Sequence, residues 1–290
     1  MLKRIALLIA CMATPTIAQV EMPSDVDQGK RFQVDFTGGV WFPRLEGITT
    51  LGAGGTAINM GDLDLDTSQA IFSGRASVSW DRFTIRLGGF DSRESGSAVL
   101  KSPVLIDGLA APAGSVINSR VDAWSINADV AYDLITPFRA KTFPWSAPDA
   151  PTGNTATDGR RVVDLVFSLI AGVQVINLEQ RYEIVGVGTA TSNNAWATPS
   201  FGFGVDLVWV ARDFIPFIDR MVVSVNTVAG PAFAGGSYTI DLNAGVTIYI
   251  LKSLGVSLGY RLNDWSLTRG DDSFEEGGLQ GLFAGVSYTW

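Results

Sequence analysis

Histidine is absent from this 290-residue chain, and the absence excludes a wide range of chemistry. Without an imidazole there is no Ser-His-Asp triad, no Cys-His pair and no His-ligated zinc. Cysteine occurs once, at Cys11, inside an N-terminal apolar segment. With that segment removed no thiol remains, which also excludes disulfides and cysteine-based metal centres. Lysine is scarce, confined to Lys3, Lys30, Lys101, Lys141 and Lys252, and charged residues make up only 17% of the chain. Lysine and glutamate normally coat a soluble surface, so this surface is built differently. Long hydrophobic runs are missing too. The nearest, "VVDLVFSLIAGVQVI" at 162–176, is broken by Asp164, Ser168, Gly172 and Gln174. A membrane-crossing helix needs roughly 18 apolar residues in succession, and no segment offers them.

What is present argues for order. Hydrophobic residues reach 47% and glycines number 32, a composition far from that of disordered chains. At the start, Lys3 and Arg4 precede the apolar run Ile5–Ala13, and "TPTIAQ" supplies small residues for cleavage after Ala18. This order predicts a secretory signal peptide over 1–18 and one domain over 19–290, beginning at Gln19. The alternative is a lipoprotein box, "LIAC" ending at Cys11. It leaves about six apolar residues ahead of the cysteine, fewer than such segments carry. Removing 1–18 takes away two basic groups and no acidic ones, leaving 19 basic against 29 acidic and a charge of −10. That argues against nucleic acid and anionic membrane surfaces as partners.

Alternation with a period of two runs through the rest. In "RFQVDFTGGVWF" the apolar set is Phe32, Val34, Phe36, Val40 and Phe42; in "IFSGRASVSW" it is Phe72, Ala76, Val78 and Trp80. In "SYTIDLNAGVTIYI" it runs from Tyr238 to Ile250 at every second residue. This is a strand signal. It predicts about ten strands, near 32–42, 69–80, 82–93, 117–134, 161–178, 197–211, 219–230, 237–251, 254–267 and 279–290, with eight or twelve as alternatives. Most exceed the usual five or six residues and suit a tilted bilayer crossing, which takes roughly 9–11.

Short turns ("WDR", "ARDFIPFID", "LKS") alternate with longer connections near 43–68, 94–116, 179–196 and 268–278, and a shorter one near 231–236. One rim of short turns and one of long loops is the layout of an up-and-down transmembrane barrel. The connection 135–160 is long and proline-rich, and by parity it falls on the rim that holds the C-terminus. A lipocalin-like soluble barrel would turn its apolar face inward; a membrane barrel turns it to lipid. The polar face consists of Gly, Ser, Thr and Asn with isolated charges, which suits a confined lumen. Trp41, Trp80, Trp196, Trp209 and Trp265 fall at strand ends, where an interfacial aromatic belt would place them.

The last strand, "LFAGVSYTW", alternates Leu282, Ala284, Val286, Tyr288 and Trp290 and closes on an aromatic. Together with the hairpin "FSGRASVSW–DR–FTIRLGGFDSRESGSAVL", it resembles Gram-negative outer-membrane β-barrel proteins as a broad class. The resemblance covers the whole mature chain. It implies an all-β, single up-and-down antiparallel transmembrane barrel in the cell outer membrane. It also implies partnership with outer-membrane lipid, lipopolysaccharide and, during biogenesis, the barrel-assembly machinery. In that class the last strand is recognised by the machinery and pairs with the first, and the matching positions here are Leu282, Val286, Tyr288 and Trp290.

Local motifs add little. Asp62, Asp64 and Asp66 have calcium-loop spacing, but Thr67 and Ser73 stand where such a loop needs Gly and Glu, so "DLDLD" reads as a solvated extension of the second strand. "GAGG" at 52–55 lacks the strand and helix of a phosphate cradle. Asp271, Asp272, Glu275 and Glu276 read as a solvated loop tip with scope for cation bridging to lipopolysaccharide. Ser102 beside Lys101 and Ser253 beside Lys252 point to opposite faces of a strand, so neither suggests a Ser-Lys pair. No enzyme, cofactor or metal site is expected. If the apolar faces meet lipid, parity sends Asp35, Asp129, Asp164, Asp206 and Asp241 inward with Arg75, Arg86 and Arg261. Isolated buried charge is costly, so an Asp–Arg network is expected in a narrow lumen. The function reads as either a porin-like passive channel or a structural surface barrel with a polar plug; an adhesin and a soluble ligand-binding barrel are the alternatives.

Overall fold

The computed structural model describes residues 32–80, 82–135, 163–211, 215, 217–231, 237–268 and 274–290. The signal peptide over 1–18, the start at Gln19, nearly all of the connection 135–160, and Asp271 and Asp272 lie outside these residues. The strands are β1 (Gln33–Thr50), β2 (Ile71–Trp80), β3 (Phe83–Val99), β4 (Val116–Ile135) and β5 (Val163–Ile184), then β6 (Gly188–Val210), β7 (Arg220–Pro231), β8 (Tyr238–Tyr249), β9 (Leu254–Thr268) and β10 (Phe274–Thr289). Each is antiparallel to its predecessor, and β10 returns to β1 from Asp35–Thr289 to Thr50–Phe274. Ten strands therefore close into one up-and-down barrel, the number that alternation indicates. Closure leaves no sheet edge along the lower wall.

The outer face of the lower half is apolar. On β1, Phe36 is 52% and Phe42 46% exposed, while Thr37 between them turns inward. Ten residue steps from Phe32 to Phe42, at a strand tilt near 40°, give an apolar band roughly 25 Å tall. Higher up the pattern inverts. The outward positions become Arg44 and Glu46, and the inward ones become Trp41, fully buried, and Leu45. The same inversion occurs on β3, where outward Ile85 and Leu87 give way to Asp91 and Arg93 as inward Arg86 gives way to Phe90. On β5, Ile176, Leu178, Tyr182 and Ile184 face inward, with Glu179 and Arg181 outside. One barrel thus combines two solvation regimes: apolar outside and largely polar within below, polar outside and largely apolar within above.

The upper interior is a hydrophobic core supplied mainly by β1, β4, β5, β9 and two connections, with single residues from β2, β3, β6 and β10. From the β1–β2 connection come Met60, Leu63 and Leu65; from the β3–β4 connection come Leu100, Val104 and Ile106. Each such side chain contributes about 1.5–3 kcal/mol on full burial. The β1–β2 connection also completes the wall. Ile58–Asn59 pairs with Ile48–Thr49, and the carbonyl oxygens of Leu63 and Asp64 would lie 2.3 Å from a Cβ at Gly96. Only glycine permits that approach. Thr56 N donates to the Leu105 carbonyl at 2.8 Å and Asp107 N to that of Leu51 at 2.9 Å, fastening the two connections together.

Several expectations need correction. The connection predicted at 179–196 is nearly all strand, with β5 and β6 meeting at Val185–Val187, and those at 43–68, 94–116 and 268–278 are shortened because β1 continues to Thr50, β3 to Val99 and β10 begins at Phe274. Loop-like composition misled because these extensions stand above the apolar band, where their outward residues are polar. Asp62 belongs to a short 3-10 turn, Met60–Leu63, not to an extension of β2. Trp41, Trp196 and Trp265 are not belt residues. They face inward, Trp41 and Trp265 within the core and Trp196 packed against it. Trp80, 68% exposed, and Trp209 do face outward near the short-turn rim.

Candidate functional site

The expected inward charges all sit on the inner face by strand parity. Arg86 on β3 is directly opposite Asp129 on β4, and Nε meets Oδ1 at 2.6 Å. Arg86 also crosses the lumen, donating from Nη1 to Asn226 Oδ1 on β7 at 2.9 Å. Asn127 donates to the second Asp129 oxygen at 3.0 Å. Both charges of the pair are nearly buried, with side chains 12% and 10% exposed, so the bonds compensate a real desolvation penalty.

Arg261 on β9 forms the second node. Nη2 donates to Asp241 on β8 at 3.2 Å, and Nη1 donates to Ser73 Oγ on β2 at 2.8 Å. Asn263 supports Asp241 at 3.1 Å. Above the guanidinium lie the rings of Trp41 and Phe90, with centroids 5.2 and 5.3 Å away, themselves edge-to-face at 5.2 Å. Arg261 therefore marks the ceiling of the polar lumen and the floor of the apolar core.

Arg75 has no hydrogen bond or ion pair to a described residue. It lines an internal cavity of about 20 Å³, shared with Arg86, Asn127, Asp129, Asn226 and Asp241. That is room for about one water molecule. Structure thus joins Arg86 to Asp129 and Arg261 to Asp241, with Arg75 beside them, and leaves the other predicted lumen acids elsewhere. Asp35 accepts from Thr289 at 2.6 Å and from Gln33 at 2.7 and 2.8 Å, across the closing seam. Asp164 is buried near the lower end of β5, and Asp206 lies on β6 opposite Ser224; neither pairs with these arginines.

Sequence reading missed further polar elements. Arg220 stacks over the Tyr249 ring at 3.9 Å and donates to Thr289 at 3.4 Å. Thr37, Ser287, Ser257 and Thr247 form a hydroxyl chain across four strands, with contacts of 2.9, 2.6 and 2.8 Å. No local motif marks it, since the partners are far apart in sequence. Glu94, 2% exposed, points into the upper interior, where Ser92 donates to one carboxyl oxygen at 3.4 Å and the other has no partner among the described residues. Burial pushes its carboxyl up from 4.5 to about 7.

Asp62 is bound to Lys101 at 2.7 Å and Asp66 to Arg44, so these two acids of the calcium-like run are held by separate cations. The hydrogen bond from Arg44 holds the Asp66 carboxyl below its ordinary range. The terminal residues Leu282, Val286, Tyr288 and Trp290 all project outward from β10, while Phe283 turns in against the core.

No family model matches the chain, and no curated protein matches it. Among solved structures it is similar to the outer membrane protease OmpT from Escherichia coli, with 11% identity, coverage of 93% of this chain and 99% of that one, and a TM-score of 0.47. It is also similar to Neisserial surface protein A (12% identity, 89% and 96% coverage, TM-score 0.27). A third is the transport unit of the autotransporter AIDA-I from Escherichia coli (8% identity, 99% and 97% coverage, TM-score 0.34).

Proposed function

We propose that this chain is an integral outer-membrane β-barrel that does not conduct: a structural, non-enzymatic surface protein whose lower half sits in lipid and whose upper half stands outside the cell. The apolar outer band supports the membrane placement, because a water-facing wall would not carry Phe36, Phe42, Ile85 and Leu87 side by side. The inverted upper half supports the orientation, since a wall with charged residues outside and a hydrocarbon core within is stable only in water.

The bridges across the lumen and the core above them are the observation that supports the non-conducting assignment. Arg86 bridges to Asn226 and Arg261 to Ser73, and above them Trp41, Phe90 and the loop residues Met60 and Leu63 fill the interior. An ion crossing here would have to break two charge networks and then enter hydrocarbon, each step opposed by several kcal/mol. The aromatic-ended β10 supports recognition by the assembly machinery, and Glu276, exposed near the upper rim, leaves scope for cation-bridged lipopolysaccharide. The test is fractionation followed by reconstitution. Mature protein is expected in the outer membrane, soluble only with detergent, and vesicles containing it should retain entrapped potassium. Native protein that stays soluble without detergent contradicts the placement, and rapid potassium release contradicts the closed lumen.

A further inference from the structure

Arg75 is the cation left over when the charges of the lumen are paired off. Near its height the guanidinium groups of Arg75, Arg86 and Arg261 meet only the carboxylates of Asp129 and Asp241. Arg86 holds Asp129 at 2.6 Å and Arg261 holds Asp241 at 3.2 Å. Asp35, the next acid below on the β1 wall, is occupied across the closing seam by Thr289 and by Gln33. Arg75 therefore has no counter-charge among the described residues.

Its setting makes the vacancy costly. Arg75 stands opposite Thr37 on β1 and Gly88 on β3, midway along the apolar band, so hydrocarbon lies outside the wall at this height. A charge in so confined an interior is stabilised by an opposite charge far more than by a dipole alone. The same side chain lines the internal cavity of about 20 Å³, whose wall also carries Asn226. Asn226 accepts from Arg86 through Oδ1, so its amide nitrogen is turned elsewhere and donates to no described residue. The two carboxylates on that wall are engaged: Asp129 accepts from Arg86 and Asn127, and Asp241 from Arg261 and Asn263. Arg75 and Asn226 thus hold unengaged donors at one small cavity.

We propose that this cavity binds one small inorganic anion, a halide such as chloride, between the Arg75 guanidinium and the Asn226 amide. The unmatched guanidinium sets the sign and number: one positive charge is neutralised by one monovalent anion. The volume sets the size. Room for about one water molecule admits a monatomic ion and excludes sulfate, phosphate and organic carboxylates. A water molecule fits the same space but leaves the charge of Arg75 uncompensated. The anion completes the polar plug of the lower lumen, so the proposal deepens the closed-lumen reading, although it needs only that Arg75 faces inward.

The experiment compares thermal unfolding of the full barrel in detergent with sodium chloride, sodium bromide and sodium gluconate at equal ionic strength. The wild type should melt about 2–4 °C higher in either halide than in gluconate, the shift reached when halide stands at about five times its Kd. Arg75→Gln should lose that difference. Equal melting of the wild type in all three salts overturns the proposal, since water or the chain's own residues then satisfy Arg75. A difference that persists in Arg75→Gln also overturns it, because the salt then acts on other charges. If Arg75→Gln fails to assemble, wild-type crystals grown in bromide decide. Anomalous density beside Arg75 is expected, and its absence overturns the proposal. None of these readouts depends on conduction: steady channel openings would refute the closed lumen and leave a halide shift standing. A silent barrel with no halide shift keeps the closed lumen and loses the anion.

Discussion

The guanidinium carbon of Arg261 lies 5.2 Å from the centre of the Trp41 ring, at the height where the barrel interior changes from polar to apolar. Below this contact, Arg86, Asp129 and Asp241 are held by hydrogen bonds; above it, side-chain packing fills most of the interior. Replacing Arg261 with Met should remove the tie between β8 and β2, leave Asp241 buried with only Asn263, and lower stability by about 3–5 kcal/mol. Thermal unfolding in detergent, followed by heat-modifiable migration, measures it.

Arg86→Ala breaks the pair with Asp129 and the bridge to Asn226 together. A loss of similar size is expected, because an unpaired carboxylate remains in a confined lumen. The double variant Arg86→Ala/Asp129→Ala should recover much of the loss. Equal Tm for wild type and Arg86→Ala would show that Arg86 does not face the lumen.

Glu94 predicts a pH dependence. Its carboxyl is raised to about 7 in the fold against 4.5 ordinarily, so between these values the folded state binds more protons than the unfolded one. Stability from this group is therefore fully present below pH 4.5, declines as pH rises and is lost above about 7. At about 1.4 kcal/mol per pH unit, the upper bound is about 3 kcal/mol. Glu94→Gln should flatten the Tm profile between pH 5 and 8 and raise Tm at the alkaline end. A wild-type profile that is flat or rises with pH would contradict the burial of this group.

Gly96→Val places a side chain where the Leu63 and Asp64 carbonyl oxygens approach. The β1–β2 connection should detach from the wall while the lower barrel stays closed. Limited proteolysis should then cut within residues 51–70, where the wild type resists.

Much of the lower barrel was legible because lipid outside and polarity inside impose one unbroken alternation. Phe32–Phe42, Phe72–Trp80 and Tyr238–Ile250 therefore give strand number, parity and the inward arginines. The upper half was not legible for a physical reason. At Trp41 and Leu45 the alternation continues but its meaning reverses, and period alone does not say which face meets water. Hence Trp41, Trp196 and Trp265 read as belt residues, and Glu179, Arg181 and Asn193 read as loop. The partners of Arg86 and Arg261 at Asn226 and Ser73 were hidden as well, since contacts across a lumen leave no local spacing.

Trp290→Asp should lower the yield of assembled barrel while synthesis continues, because a charge replaces an amphipathic ring on the outward face of the closing strand. Outer-membrane yield measured by heat-modifiable migration checks it, and normal yield would remove the assembly role from Trp290.

Single-channel recording in planar bilayers tests the closed lumen most directly. The full barrel, inserted and verified by its heat-modifiable migration, should stay silent under applied voltage, because the Arg86 and Arg261 bridges cross the lumen and the core packs above them. Steady, reproducible openings by the wild-type protein would contradict the account.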